Sequence, residues 1–139
     1  MSLTLSTAKE RVSVHLNDVA RLIWSEVMLE TAIREALQAV GRVVGETLTL
    51  SGLDGAGETL LPEDSEHILV TGAVAYALTF RANGRFEDAR DADALPNAFG
   101  DWAGAHMARF QAMLVQVKWH GHQKAAHPPY TGWEWEERP

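Results

Sequence analysis

Apolar residues recur at every third or fourth position between residues 26 and 44, which is the repeat of one face of an α-helix. The repeat consists of Leu29, Ile33, Ala36, Leu37, Val40 and Val43. Ser25 stands just before it, and serine is a preferred N-cap residue. Gly45 stands just after it, and glycine commonly ends helices. The pattern predicts an amphipathic helix over residues 26–44.

Two other segments predict helices from different signals. Thr7-Ala8-Lys9-Glu10 has the S/T-x-x-E form of a capping box, which predicts a short helix over about 8–16. Pro62 and the acidic residues after it are typical of a helix start, and 68–80 is apolar on nearly every side. We therefore expect a central, buried helix there, which ends at Asn83-Gly84.

The last predicted helix covers about 98–118, with Asn97 as its N-cap. Its stripe, at spacings of three or four, consists of Phe99, Trp102, His106, Phe110, Met113 and Val117. Earlier in the chain, Thr47-Leu48-Thr49-Leu50 alternates with period two, and a glycine-containing turn at 54–57 leads into a second short segment. This alternation predicts one small exposed hairpin at about 46–61.

The helical pattern fails after Lys118. Two adjacent prolines follow at 128 and 129, so we predict an extended, aromatic-rich tail at 119–139. The preceding part, 1–118, is predicted to be mainly α: a small bundle of about four helices with one β-hairpin or long loop. Its core is expected to contain Leu29, Ile33, Leu37, Val40, Leu69, Val74, Leu78, Trp102, Phe110 and Leu114.

The composition limits the classes of protein to consider. At 139 residues the chain fits a single domain, and without cysteine its core forms without disulfides or thiolate metal ligands. It has 12 lysines and arginines against 19 acidic residues, a formal charge of -7 and a pI near 5.3. This charge disfavours a protein that mainly grips phosphate backbones. We expect neither a secretion signal nor a membrane span, since the longest uncharged apolar-rich run, 68–80, is too short to cross a bilayer.

Histidines are the main candidates for metal binding or catalysis. His120, His122 and His127 have the side chains of metal ligands, but they lie in a segment broken by glycine and proline. His106 lies on the stripe of the last predicted helix, where a core histidine is the simpler interpretation. We expect no catalytic residue, no metal site and no cofactor. The alternative is a small metal-binding protein or enzyme in which His106, His120 and His122 converge.

Acidic residues also cluster between the last two predicted helices. They are Glu87, Asp88, Asp91 and Asp93. The spacing lacks the glycine and the terminal glutamate of a calcium-binding loop. We therefore expect a solvated loop.

Aromatic side chains of the tail are the candidate partner-binding residues. They are Trp119, Tyr130, Trp133 and Trp135. Large rings at a chain end without a core of its own need another apolar surface to pack on. We expect that surface to belong to a partner; the alternative is that the tail folds back on its own domain. In the predicted hairpin, we expect Leu48, Leu50 and Leu53 to contact a neighbouring subunit.

The order of elements resembles a known family of phage proteins. His15-Leu16-Asn17-Asp18, Trp24-Ser25, Leu29 and the run Ala32-Ile33-Arg34-Glu35-Ala36-Leu37 are followed by Tyr76-Ala77-Leu78 in an alanine-rich helix. This series is similar to the head-to-tail connector, or adaptor, proteins of tailed bacteriophages. The resemblance covers most of the chain in element order, through short motifs.

The resemblance implies a structural virion protein, assembled in the host cytoplasm, and not an enzyme. It implies a homo-oligomeric ring of about twelve copies around the DNA exit channel. The tail would insert into the portal, and the hairpin would touch neighbouring subunits or the next neck or tail protein. DNA would pass through without specific binding, which the negative net charge permits. Another helical phage tail-completion protein is the nearest alternative.

Overall fold

The computed structural model describes residues 3–21, 23–88 and 98–124. In these residues the chain forms four α-helices, and a short 3-10 helix at Glu63–Ser65 leads directly into the third. The helices are α1 (Leu5–His15), α2 (Glu26–Val44), α3 (Glu66–Asp88) and α4 (Ala98–Lys124). The predicted mainly α bundle of four helices is therefore confirmed. None of the helices in the described part combines the length and hydropathy that a bilayer span needs.

Helix α2 begins and ends where the sequence pattern places it. The Ser25 hydroxyl accepts a hydrogen bond from the backbone N–H of Met28, so it caps the first turn. Gly45 ends the helix in the left-handed conformation, with φ 83°, and its N–H donates to the Gly41 carbonyl at 2.8 Å. Both predicted ends are confirmed because local capping chemistry decides them.

Helix α1 begins one turn earlier than predicted. Its N-cap is Thr4, whose hydroxyl accepts a hydrogen bond from the backbone N–H of Thr7 at 3.2 Å. The prediction that Thr7 caps this helix is therefore wrong. The cause is tertiary: Leu5 is buried, and its N–H donates to the Ser51 carbonyl at 2.9 Å. This contact satisfies a helix donor that the sequence pattern leaves open.

Residues 46–61 form a long loop instead of a hairpin. Their pairing is limited to one antiparallel bridge, between Thr49 and Leu60, among the described residues. Ser51 forms a parallel bridge with Thr4 instead, and its N–H donates to the Thr59 hydroxyl at 3.0 Å. That hydroxyl donates in turn to the Leu3 carbonyl at 2.6 Å. The hairpin ladder does not form because the segment bonds to the N-terminus of the chain.

Helices α3 and α4 both run further than the sequence predicts. Helix α3 continues past Asn83-Gly84 to Asp88, and α4 continues past Lys118 to Lys124. A single glycine inside a helix costs only about 1 kcal/mol, which packing easily offsets. The prediction of an extended tail is therefore wrong for 119–124. The rest of that tail, 125–139, and the predicted cap Asn97 lie outside the described residues.

Helix α3 forms the centre of the bundle and contacts each of the other three α-helices. Nine of the ten predicted core residues are buried: Leu29, Ile33, Leu37, Val40, Leu69, Val74, Leu78, Phe110 and Leu114. Trp102 is half-buried and packs against this core. Helix α4 packs on α3 and α2, and no contact joins it to α1 within the described residues.

Candidate interaction surface

The connection between α1 and α2 is closed by one buried carboxylate. The Asp18 side chain accepts hydrogen bonds from the backbone N–H groups of Ile23 and Trp24, at 3.1 and 3.0 Å. The Asp18 N–H itself donates to the Ser13 carbonyl at 2.9 Å. These bonds tie both ends of the connection together. We call residues 14–21 and 23–27, which include the described part of this connection and the adjoining helix ends, the α1–α2 corner.

Trp24 fixes the α1–α2 corner to the centre of the bundle. Its side chain is only 1% exposed, and its indole Nε1 donates to the carbonyl oxygen of Ala77 in α3 at 2.8 Å. A buried indole N–H needs such a partner, because an unpaired buried donor costs about 1–3 kcal/mol. The corner therefore cannot shift relative to α3 without breaking this bond.

The backbone of the α1–α2 corner is strained at two positions. Asn17 and Arg21 both have φ 56°, in the left-handed region that residues other than glycine rarely adopt. Asparagine tolerates this conformation, but arginine has no local compensation for it. Such strain persists only where the surrounding contacts impose it, and it is concentrated at functional sites. The strained backbone conformation of the corner is thus held in place by the contacts around it.

The α1–α2 corner holds four aliphatic side chains in water. Val14 is 63% exposed, Val19 70%, Ile23 40% and Val27 72%. Val19 and Ile23 lie in the connection that the Asp18 carboxylate closes, whereas Val14 and Val27 lie at the adjoining ends of α1 and α2. Exposed apolar groups gathered in one region are typical of protein–protein contact sites. The corner is therefore suited to bind an apolar surface of another protein.

A chain of ion pairs runs from the α1–α2 corner along α2 to the loop at 46–61. Cations and anions alternate along it, in the order Arg21, Glu26, Lys9, Glu30, Arg34 and Asp54. The Lys9 amine lies 3.1 Å from the Glu26 carboxylate and 3.5 Å from that of Glu30. With three positive and three negative groups, this series of ion pairs has no net charge. The region beside the aliphatic side chains thus carries little net charge to repel a partner.

The ion pair between Arg34 and Asp54 is the last of this series and is bidentate. The Arg34 guanidinium donates two hydrogen bonds to the Asp54 carboxylate, at 2.9 and 2.8 Å. These bonds lower the pKa of Asp54 and raise that of Arg34 relative to their ordinary values. The pair joins the loop at 46–61 to α2.

The three leucines predicted to contact a neighbouring subunit lie elsewhere. Leu48, Leu50 and Leu53 are buried in the core of this chain. Leu48 and Leu53 also line an open groove of about 550 Å³ between α2 and the loop. Their burial argues against the predicted contact, which stays a prediction, because side chains that fill a subunit's own core are less available to a partner. Alternating leucines have the same pattern whether the covering surface is internal or external.

Of the four predicted tail residues, Trp119 is described. It lies on α4, where its side chain is 56% exposed. Tyr130, Trp133 and Trp135 lie outside the described residues, as does His127, which has the side chain of a metal ligand but is not predicted to bind a metal. Glu87 and Asp88 fall at the end of α3, whereas Asp91 and Asp93 are also outside the described part.

The helix geometry argues against a site made of His106, His120 and His122. All three lie on α4, and 106 and 120 are 14 residues apart, or about 21 Å along the axis. The Nδ1 atom of His106 lies 3.1 Å from the Trp102 carbonyl, a contact within one helix turn. The alternative in which these histidines converge stays a prediction, and the distance between positions 106 and 120 along α4 argues against it.

Sequence reasoning did not find the α1–α2 corner as a surface. Val19 and Ile23 lie between the first two predicted helices, where no periodicity indicates whether a side chain is buried or exposed. Their exposure depends on the bonds of Asp18 and Trp24, which a periodicity does not contain. Comparisons of the chain with protein-family models, with curated proteins and with solved structures found no significant match.

Proposed function

We propose that this chain is a structural assembly subunit, the head-to-tail connector of a tailed bacteriophage. The α1–α2 corner carries the proposal. Its four aliphatic side chains stay exposed on a backbone that is strained and closed, and each is worth roughly 1.5–3 kcal/mol when fully buried. A surface that is rigid before binding loses little entropy when a partner docks. The corner is therefore the proposed contact between neighbouring subunits.

The motifs that resemble connector proteins include the residues that build this corner. Asn17 adopts the strained conformation, Asp18 closes the connection, and Trp24 anchors it. Ser25 then caps α2. These roles explain why a Leu-Asn-Asp turn and a Trp-Ser pair occur together. They support the proposal that the resemblance reflects a shared way of presenting this surface.

In the proposed assembly, about twelve copies form a ring that docks under the portal, in the virion, after assembly in the host cytoplasm. The tail at 119–139 is proposed to supply portal contacts from its aromatic residues, beginning with the exposed Trp119 on α4. Tail or neck proteins are the proposed partners on the opposite side. DNA passes through without specific binding, which the formal charge of -7 supports because like charges repel.

The proposal is tested by removing the exposed aliphatic surface without touching the core. The variant Val19→Ser/Val27→Ser changes the two most exposed corner side chains. We expect the parent chain to form rings in concentrated solution, detected by light scattering and electron microscopy. We expect the variant to lose them while its melting temperature stays within about 2 °C of the parent, since neither side chain is buried.

The matched control is Leu60→Ser. Leu60 is 51% exposed and lies in the loop at 46–61, away from the corner residues in sequence. We expect this variant to keep its rings. A parent chain that stays below ring mass at every concentration contradicts the proposal, and so does a corner variant that assembles as the parent does.

A further inference from the structure

Helix α4 has a second apolar face, opposite the one that packs on the core. The inner face includes Ala103, Phe110 and Leu114, which are buried. The opposite face follows spacings of four and three, the spacing of a coiled-coil contact, with every residue exposed. We call this face the outer seam; it consists of Asp101, Ala105, Ala108, Ala112, Val115 and Trp119.

The composition of the outer seam is not explained by helix formation. Alanine is common on helices because it is the best helix former, so exposed alanines alone need no partner. Val115 is different, because β-branched residues are poorer helix formers, yet it is 53% exposed. Trp119 follows one turn later and is 56% exposed. The two largest apolar groups of the seam are thus more than half exposed at its C-terminal end.

We propose that the outer seam binds the outer seam of a second copy of this chain, with the two α4 helices antiparallel. The seam has small residues at one end and large residues at the other. With Ala112 at the two-fold axis, Trp119 of each copy lies level with Ala105 of the other and beside Gly104. A Cβ at Gly104 would meet no atom within 4 Å, so this position leaves room for an indole ring. The large residues of each copy then lie against the small residues of the other copy, and the two contacts are identical, as a two-fold interface requires.

The charges along α4 also favour the antiparallel arrangement. Asp101 lies in the first turn, whereas Lys118 and Lys124 lie in the last two turns. Antiparallel pairing brings the acidic end of one helix to the basic end of the other. Parallel pairing would instead place like charges together. The helix dipoles oppose each other in the antiparallel pair, which is the favourable arrangement.

The size of the outer seam makes the pair weak. From Asp101 to Trp119 it is about 27 Å long and roughly 10 Å wide, so it covers roughly 300 Å² of each copy. A stable interface covers about 800 Å² of each partner. We therefore expect an equilibrium between monomer and pair that depends on concentration. This inference goes beyond the proposed function and does not require it. Because Trp119 is also a proposed portal contact, the pair is proposed for subunits that have not docked on the portal.

The test places a charge at the proposed two-fold axis. In Ala112→Glu, two carboxylates would face each other across the pair, whereas Gln111→Glu adds the same charge one residue away, off the seam. Both are made in the Val19→Ser/Val27→Ser background, so that a ring does not hide the pair. In sedimentation experiments over a range of concentrations, we expect Ala112→Glu to raise the dissociation constant of the pair at least tenfold. Gln111→Glu should change it less than threefold.

A charge exchange tests the antiparallel direction. Asp101→Lys and Lys124→Glu should each weaken the pair, because the two positions lie within one residue of each other across it, and the double variant should restore it. Parallel pairing predicts no such restoration. The proposal is overturned if the background protein stays monomeric up to about 1 mM, if Ala112→Glu pairs normally, or if the exchanged variant is not restored. A monomeric Val19→Ser/Val27→Ser chain whose parent forms rings would overturn the pair alone and leave the proposed function intact.

Discussion

The packing of α4 on α3 depends on one residue without a side chain. Gly72 of α3 lies against the ring of Phe110 of α4, which is fully buried. A Cβ at Gly72 would lie 2.5 Å from Cε1 and 2.6 Å from Cζ of that ring. Real Cβ atoms do not approach aromatic carbons so closely. This glycine therefore sets how near α4 approaches the centre of the fold.

We expect Gly72→Ala to destabilise the protein, although alanine is the better helix former by about 1 kcal/mol. The ring of Phe110 is rigid and buried, so either it or α4 must move, and overpacking of this kind costs typically about 1–3 kcal/mol. Urea unfolding followed by circular dichroism measures the change. Gly100→Ala is the control, since a Cβ there meets no atom within 4 Å. Equal stability of Gly72→Ala and the parent would contradict the packing.

At the scale of elements, the sequence predicts the parts whose causes are local. The ends of α2 follow from Ser25 and Gly45, which act within one turn. The start of α1 is mispredicted, and the sequence leaves both a hairpin and a long loop open at 46–61, because the two segments depend on each other: the Leu5 N–H donates to the Ser51 carbonyl across the fold. The candidate site is missed for the same reason. Exposure of Val19 is set by the bonds of Asp18 and Trp24, and no periodicity records these.

The ion pair that joins the loop to α2 gives a prediction about pH. Hydrogen bonds from Arg34 lower the pKa of Asp54 below its ordinary value in the folded protein. In the unfolded chain, Asp54 therefore binds a proton more readily than in the folded protein. The stability that the ion pair adds is present above the ordinary pKa of Asp54 and is lost as the pH falls through the lowered pKa. We expect Asp54→Asn to reduce stability at neutral pH and to converge with the parent in strong acid.

Chemical unfolding of both proteins from pH 7 down to pH 2 measures this convergence. The control is Glu58→Gln, a change in the same exposed loop at a carboxylate with no ion pair among the described residues. Added salt should narrow the difference between Asp54→Asn and the parent at neutral pH, because the pair is exposed. A difference that is unchanged by acid would show that the bidentate pair contributes nothing to folding.

At the scale of the whole molecule, the two proposed surfaces lie on different helices. The α1–α2 corner belongs to α1 and α2, whereas the outer seam belongs to α4, which makes no contact with α1 within the described residues. A partner on one surface therefore need not block the other. A contact between unlike surfaces builds a ring, and a contact of one surface with itself adds two-fold axes. Used together, the corner and the seam would join two rings face to face.

This combination predicts the mass of four related proteins. With both surfaces intact, we expect a double ring of about twenty-four copies of the 15.3 kDa chain, because many weak seam contacts act together when the subunits are already in a ring. Ala112→Glu should leave a single ring of about twelve copies. Val19→Ser/Val27→Ser should leave a pair, and the combined variant should be monomeric.

Mass photometry and light scattering at matched concentrations distinguish these states. A parent that pairs but never forms a ring would remove the connector proposal and keep the α4 pair. A ring that stays single in the parent, and is unchanged by Ala112→Glu, would remove the pair and keep the ring. Loss of the ring in Ala112→Glu would instead place α4 inside the ring interface. In that case the α1–α2 corner and the outer seam would not be independent surfaces.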